Sequence, residues 1–241
     1  MNRWVLASSN AGKLAEFQHA LQPVLTAKGI TLINQSDLGI ASAEEPFHTF
    51  EENALAKARH TSRASGHPAL ADDSGLCVDV LDGAPGVRSA RYFADAKRRA
   101  NPADLADLRA IDAQELSTDE SNLQWLLRET RRAIGGAAGH AARPAAGSAG
   151  VPVTPGPIAD AQFIAAIAFV RSAEDPQPII VRGTWRGRVF SQPVGAHGFG
   201  YDPIFFDPDS GMTAAQMSIE EKRRVSHRGR ALDALLAKLG A

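Results

Sequence analysis

Residues Phe163-Ile164-Ala165-Ala166-Ile167-Ala168-Phe169-Val170 constrain the fold more than any other segment of this chain. The run is apolar throughout and far too short to span a membrane, and it reads as a strand covered on both faces, as in the middle of an α/β sheet. The strand that holds it is expected over Gln162 to Val170, and further strands at Trp4 to Ala7, Thr31 to Asn34, Ala69 to Ala71, Leu76 to Val80 and Ile179 to Phe190. Helices are expected after Lys13, after Thr49, near Trp125, and at the C-terminus through Leu232, Leu235, Leu236 and Leu239, where apolar residues recur at helical spacing. The whole is a mixed α/β sheet. At 241 residues and 44% hydrophobic composition the chain can bury a sizeable core, as one domain or two closely joined lobes.

Four segments carry chemistry. Asp72 and Asp73 follow Ala69-Leu70-Ala71 and precede Ser74-Gly75, so a strand that ends and bends here would present oxygen ligands of the kind Mg²⁺ takes beside a substrate phosphate. Read alone, the segment is more readily an Asx turn between two strands. Ser8-Ser9-Asn10-Ala11-Gly12-Lys13 joins the first strand to a helix on which Leu14, Phe17 and Leu21 repeat. Such a loop aims backbone N–H groups and the positive end of the helix dipole at an anion, and Lys13 adds a full charge. It is not a Walker A loop, which would need Gly at Ala7 and a hydroxyl at Leu14. A cation must then be held elsewhere, and Asp72-Asp73 and Glu44-Glu45 are the available acidic clusters.

Thr49-Phe50-Glu51-Glu52 is a capping box that opens a helix. Glu52 serves the cap, while Asn53 and Lys57 lie one turn apart on a face that either meets a phosphate or is simply solvated. Gly198-Phe199-Gly200-Tyr201-Asp202 sets an aromatic pair among glycines with an acid after them. An aromatic face can stack on a purine and Asp202 can accept from a ring N–H; the alternative is a tight loop with both rings in the core. Downstream, a second capping box at Ser218-Ile219-Glu220-Glu221 precedes Lys222 and Ser226-His227-Arg228, a cationic group suited to an anion or a purine edge.

Together these segments resemble the inosine/xanthosine triphosphate pyrophosphatases, which hydrolyse non-standard purine nucleotides. The resemblance rests on Ser8 to Lys13, Ser42 to Glu45, Thr49 to Ala54, Ala71 to Tyr92, Gly198 to Phe205 and Ser226 to Leu232, which occur in the family's order. It implies an elongated mixed sheet with flanking helices, forming two lobes around a central active-site cleft, and a homodimer. It implies Mg²⁺ held by Glu44 and Asp73, with Asp73 also the proton acceptor for the attacking water. Ser8, Ser9, Asn10, Ala11, Gly12 and Lys13 would bind the triphosphate, and Ser74 would touch the substrate; Asn53 and Lys57 are substrate-binding candidates from their helical spacing alone. Phe199, Gly200, Tyr201 and Asp202 with Lys222 would surround the nucleoside, and His227 and Arg228 would meet the base. Where the family loop usually reads Thr-Gly-Asn, this chain has Ser8-Ser9-Asn10.

The implied activity is Mg²⁺-dependent hydrolysis of ITP, dITP or XTP to the monophosphate and pyrophosphate. The alternatives are a pyrophosphatase for other modified nucleotides and a non-catalytic nucleotide-binding protein. Between Ala94 and Asp160 the chain departs from the family: Asn101 to Leu108 reads as an added helical piece, and about 133–157 as a flexible insertion of Ala, Gly and Pro within a single 1–241 domain. A net charge of −1 argues against nucleic acid as a partner, and no apolar stretch reaches membrane length. The start at Met1-Asn2-Arg3-Trp4 leads into a strand rather than a signal peptide, and the single Cys77 excludes an internal disulfide; both suit the cytoplasm.

Overall fold

The computed structural model describes residues 2–9, 11–99, 101–138 and 155–240. Seven strands, β1 (Asn2–Leu6), β2 (Ile30–Asn34), β3 (Ala69–Val78), β4 (Pro157–Val170), β5 (Ile179–Phe190), β6 (Phe205–Asp207) and β7 (Met212–Thr213), hydrogen-bond in the order β2-β1-β3-β4-β5-β6-β7. β1 pairs in parallel with β2 and β3, whereas β5, β6 and β7 pair antiparallel, so the sheet is mixed. Among the described residues there are seven α-helices: α1 (Ala11–Lys28), α2 (Phe50–Ser65), α3 (Tyr92–Arg99), α4 (Leu105–Asp112), α5 (Thr118–Ala138), α6 (Ile219–Val225) and α7 (His227–Leu239).

The chain forms two compact units. The first comprises residues 1–74, 164–185 and 223–241. Its core joins Trp4, Leu6, Leu32 and Leu70 from the parallel strands to Phe17, Leu21 and Val24 of α1 and Leu232 and Leu235 of α7. The apolar run expected at Phe163 to Val170 is the inner part of β4, every residue of it buried, with Phe169 4.6 Å from Trp4 between ring centroids. Helix α7 lies so close to β5 that a Cβ on Gly183 would sit 2.0 Å from the His227 carbonyl oxygen. α2 starts where the capping box places it: the Thr49 hydroxyl accepts from Glu52 N–H at 3.2 Å and donates to the Glu52 carboxylate at 2.6 Å.

The second unit comprises residues 75–163 and 186–222. Trp125 of α5 is buried beside Phe93 of α3, and Asn122 clamps the start of α3 by accepting from Phe93 N–H and donating to Ala90 C=O. The added helical piece expected near residues 101–108 is a short 3₁₀ turn running into α4, which buries Leu108 and Ile111. α3, β6 and β7 are too short to leave a periodic signature. Of the segment expected as an insertion, residues 133–138 complete α5 and Pro157 opens β4, while 139–154 lie outside the described residues.

The largest correction concerns residues 72–75, expected to end one strand and turn into the next. β3 passes through them unbroken. Asp, Ser and Gly favour turns in isolation, but here each polar side chain meets partners supplied by the helices, so the extended backbone is kept.

Candidate functional site

Neighbouring residues on a strand face opposite sides of a sheet, and β3 uses this to give its two acids different surroundings. Leu70, Asp72 and Ser74 share one face. There Asp72, with its side chain 2% exposed, is 2.8 Å from Lys13 Nζ of α1 and 3.1 Å from Arg228 Nη2 of α7. Arg228 also donates to Ser74 Oγ at 3.1 Å and reaches Glu16 at 3.3 Å. Burial pushes the Asp72 carboxyl up, but the Arg228 and Lys13 charges outweigh it and hold the group well below the usual carboxylate range. Asp72 is therefore an ionised anchor for two cations.

Asp73 faces the other way. Its Oδ1 accepts from Lys57 Nζ of α2 at 2.8 Å, and the same ammonium is 2.8 Å from Glu45 Oε1. Burial raises the Asp73 carboxyl above its ordinary value, and the Lys57 charge does not bring it back; Glu45 and Asp72 push the same way. Lys57 itself is raised, since the attraction of Asp73 and Glu45 overcomes its own burial. Asp73 Oδ2 and Asp72 Oδ1 are buried without a hydrogen-bond partner, an uncommon condition for carboxylate oxygens.

Of these groups Lys13, Glu45, Lys57 and Asp72 line one cavity of about 190 Å³, together with Ala7, Ser8 and Ser9 after β1, Gln35 just after β2, and Ser42 and Ala43. It opens beyond the carboxyl ends of parallel strands, where open α/β sheets place ligands, and α1 starts beside it with its positive dipole end. Asn10 lies outside the described residues, as does the side chain of Ala11; Gly12 is exposed in the first turn of α1.

Several expected residues have other work. The acid beside Asp73 is Glu45, while Glu44 is exposed on the irregular stretch before α2. Asn53 is fully buried and spends its amide on the backbone N–H and C=O of Phe47. Arg228, expected at the base, is instead committed to Asp72, Ser74 and Glu16. His227 is the buried first residue of α7, behind the Ser226 cap. Gln35 was not anticipated: it is buried and links Thr61 to Ser42, and no local pattern marks it.

The aromatic-glycine loop belongs to the second unit. Phe199 is 52% exposed, with Lys222 Nζ 5.4 Å above its ring. Asp202 is buried, accepts from Phe199 N–H at 2.9 Å and pairs with Lys222, so its carboxylate shapes the loop and holds the ammonium. Gly198 is obligatory: its φ is +79° and a Cβ would meet Asp202 Oδ2 at 2.0 Å. Gly200 N–H donates to Asp119 of α5 at 2.9 Å. Tyr201 points into the core, where its hydroxyl donates to Ser89 C=O at 2.9 Å and burial raises its pKa.

The acid pair fits a hard divalent cation in one respect that the structure shows: two oxygen donors meet at a single positive point, and one further oxygen, Asp73 Oδ2, is buried and unpartnered. Among the described residues no group of three or more His, Cys, Asp or Glu could hold a metal ion. Two carboxylates with the rest of the shell from water and substrate phosphate is the usual Mg²⁺ arrangement. Among the described residues no helix is long and apolar enough to cross a membrane.

Comparison with known proteins agrees along the whole chain. The dITP/XTP pyrophosphatase of Nitrosomonas europaea is 44% identical over 239 residues, covering 99% of this chain and 95% of the relative. That of Bordetella pertussis is 45% identical over 241 residues, covering 100% and 92%. Of solved structures, a HAM1 protein from Coxiella burnetii superposes with a TM-score of 0.74 at 36% identity, covering 99% of this chain and 98% of that one. The nucleoside-triphosphatase or dITP/XTP pyrophosphatase of Mycobacterium abscessus gives 0.61 at 34%, covering 98% and 99%. With the Ham1 family model matching residues 4–134 and 154–238, and with this fold and site around it, the chain belongs to the Ham1 family.

Proposed function

We propose that the protein hydrolyses non-standard purine nucleoside triphosphates, ITP, dITP and XTP, to the monophosphate and pyrophosphate. The observation that carries this reading is how β3 arms one cavity: Asp72 holds Lys13 at its wall, while Asp73 pairs with Lys57, which lines the same cavity together with Glu45. An attacking water needs a base and a leaving pyrophosphate needs positive charge, and the two acids of β3 provide for them through different partners around that one cavity. Asp73, with its raised pKa and an unpartnered oxygen, is suited to take the proton from water. Lys13 and the N-terminus of α1 face the charge that develops on the departing pyrophosphate. A divalent cation bound by Asp73 and Glu45 would neutralise phosphate charge and orient the water.

In the second unit the exposed Phe199 ring offers a stacking face, and Lys222, fixed by Asp202, offers a donor to the 6-oxo group of hypoxanthine or xanthine. Adenine has an amino group there and would leave that donor unpaired, so ATP should be a poor substrate. The same reading takes Mg²⁺ as the cation, a homodimer as the assembly and the cytoplasm as the setting, as the family resemblance implies. The decisive assay is pyrophosphate release from ITP, XTP, GTP and ATP with Mg²⁺ or with EDTA, for the unmodified protein and Asp73→Asn. Mg²⁺-dependent turnover of ITP and XTP, lost in Asp73→Asn, is expected. Near-normal turnover by Asp73→Asn would remove Asp73 from the chemistry, and equal use of ATP and ITP would remove the proposed base readout.

A further inference from the structure

Lys57 Nζ stands 2.8 Å from Glu45 Oε1 and 2.8 Å from Asp73 Oδ1. Its side chain is 13% exposed, Asp73's is 9% and Glu45's is 25%, so this is a three-member charge cluster with one partly exposed member. The carboxylates converge on one positive point, and the remaining Asp73 oxygen, buried and unpartnered, lies in the same carboxylate. A divalent cation held by these two acids would need their oxygens at about 2.0–2.1 Å, leaving the ammonium to face a doubly charged ion across a few ångströms. The two cations compete for the same oxygens.

We propose that Lys57 is an internal counter-cation for the Asp73 and Glu45 carboxylates. It keeps their affinity for a divalent cation low until a triphosphate offers the ammonium a better partner. This rests on the reading of the protein as a cation-dependent triphosphate hydrolase. Lys57 lines the same cavity as Lys13, Ser8 and Ser9, so an anion entering there comes to the side chain that has to move. A lysine suits the task because its charge sits on a flexible four-carbon stem that can exchange partners. The consequence is thermodynamic coupling: nucleotide tightens the cation, and by linkage the cation tightens nucleotide to the same degree. An empty enzyme then does not hold a reactive cation site, and the two carboxylates are not left facing each other uncompensated.

The test is Mn²⁺ binding to the nucleotide-free protein, read from the electron paramagnetic resonance signal of free Mn²⁺. Lys57→Met and Lys57→Gln should each bind Mn²⁺ at least about tenfold more tightly than the unmodified protein, as expected when one like charge is removed from the site. Lys57→Arg, which keeps the charge, should stay weak. Lys57→Gln preserves hydrogen bonding to the carboxylates, so it serves if Lys57→Met fails to fold. An α,β-methylene ITP analogue should tighten Mn²⁺ in the unmodified protein and do so much less in Lys57→Gln. Equal or weaker Mn²⁺ affinity in folded Lys57→Gln would overturn the counter-cation role. Hydrolysis of ITP that persists in EDTA would instead overturn the cation-dependent reading, so the two failures are distinguishable.

Discussion

Asp72→Asn tests whether the two adjacent acids of β3 have the separate roles that their surroundings imply. The substitution keeps shape and removes one charge from a site where Asp72 pairs with Lys13 at 2.8 Å and with Arg228 at 3.1 Å. Removing one member of a buried ion pair costs roughly 3–5 kcal/mol, because the partner's charge stays buried. Lys13 is 24% exposed and can turn to water, and Arg228 keeps Glu16 and Ser74, which argues for the lower end. A loss of about 3 kcal/mol would lower Tm by about 6–12 °C for a protein of this length. Asp73→Asn should cost much less, about 1 kcal/mol or under, because burial already disfavours its ionised form.

The pH dependence has a definite sign. The folded-state pKa of Asp72 lies below that of an unfolded aspartate, so its stabilisation is full above the unfolded value and fades as pH falls toward the folded one. The stability gap between the unmodified protein and Asp72→Asn should therefore be complete at pH 7 and narrow below about pH 4. Urea denaturation across that range measures it. A gap at pH 7 under about 0.5 kcal/mol would refute the anchor role, since surface substitutions already reach that size. So would a gap that widens in acid.

Three other substitutions probe contacts that fold and site depend on. Gly183→Ala would press a methyl to within 2.0 Å of the His227 carbonyl oxygen and 2.5 Å of Ala231 N, and should cost about 3 kcal/mol in urea denaturation or abolish soluble expression. Gly198→Ala forces a side chain into a left-handed position against Asp202; KM for ITP should rise about tenfold, equivalent to 1.4 kcal/mol of binding, with a smaller change in kcat. Thr49→Ala removes the α2 cap and should lower stability by about 1 kcal/mol without changing the relative use of ITP and ATP.

Features set by short-range physics were legible in the sequence. The apolar run at Phe163 to Val170 had to be a covered strand, the Thr49 to Glu52 box had to open a helix, and a helix had to follow the first strand, although α1 starts at Ala11, inside the stretch expected as a loop. Family motifs pointed to Lys13 and Asp73, and helical spacing after the Thr49 box pointed to Lys57. Tertiary structure decided the partners. Asp72 meets Lys13 and Arg228 from 59 and 156 positions away, and no local pattern reports such pairs. Their charges let β3 run straight through a sequence that alone favours a turn, and they draw Arg228 to Asp72. The choice of Glu45 over Glu44 has the same origin, since adjacent residues on an irregular segment differ only in direction, and Lys57 of α2 selects the one that faces it. Propensity acts over a turn or two of chain, whereas ion pairing acts over a few ångströms of space, and only the folded sheet brings those distances together.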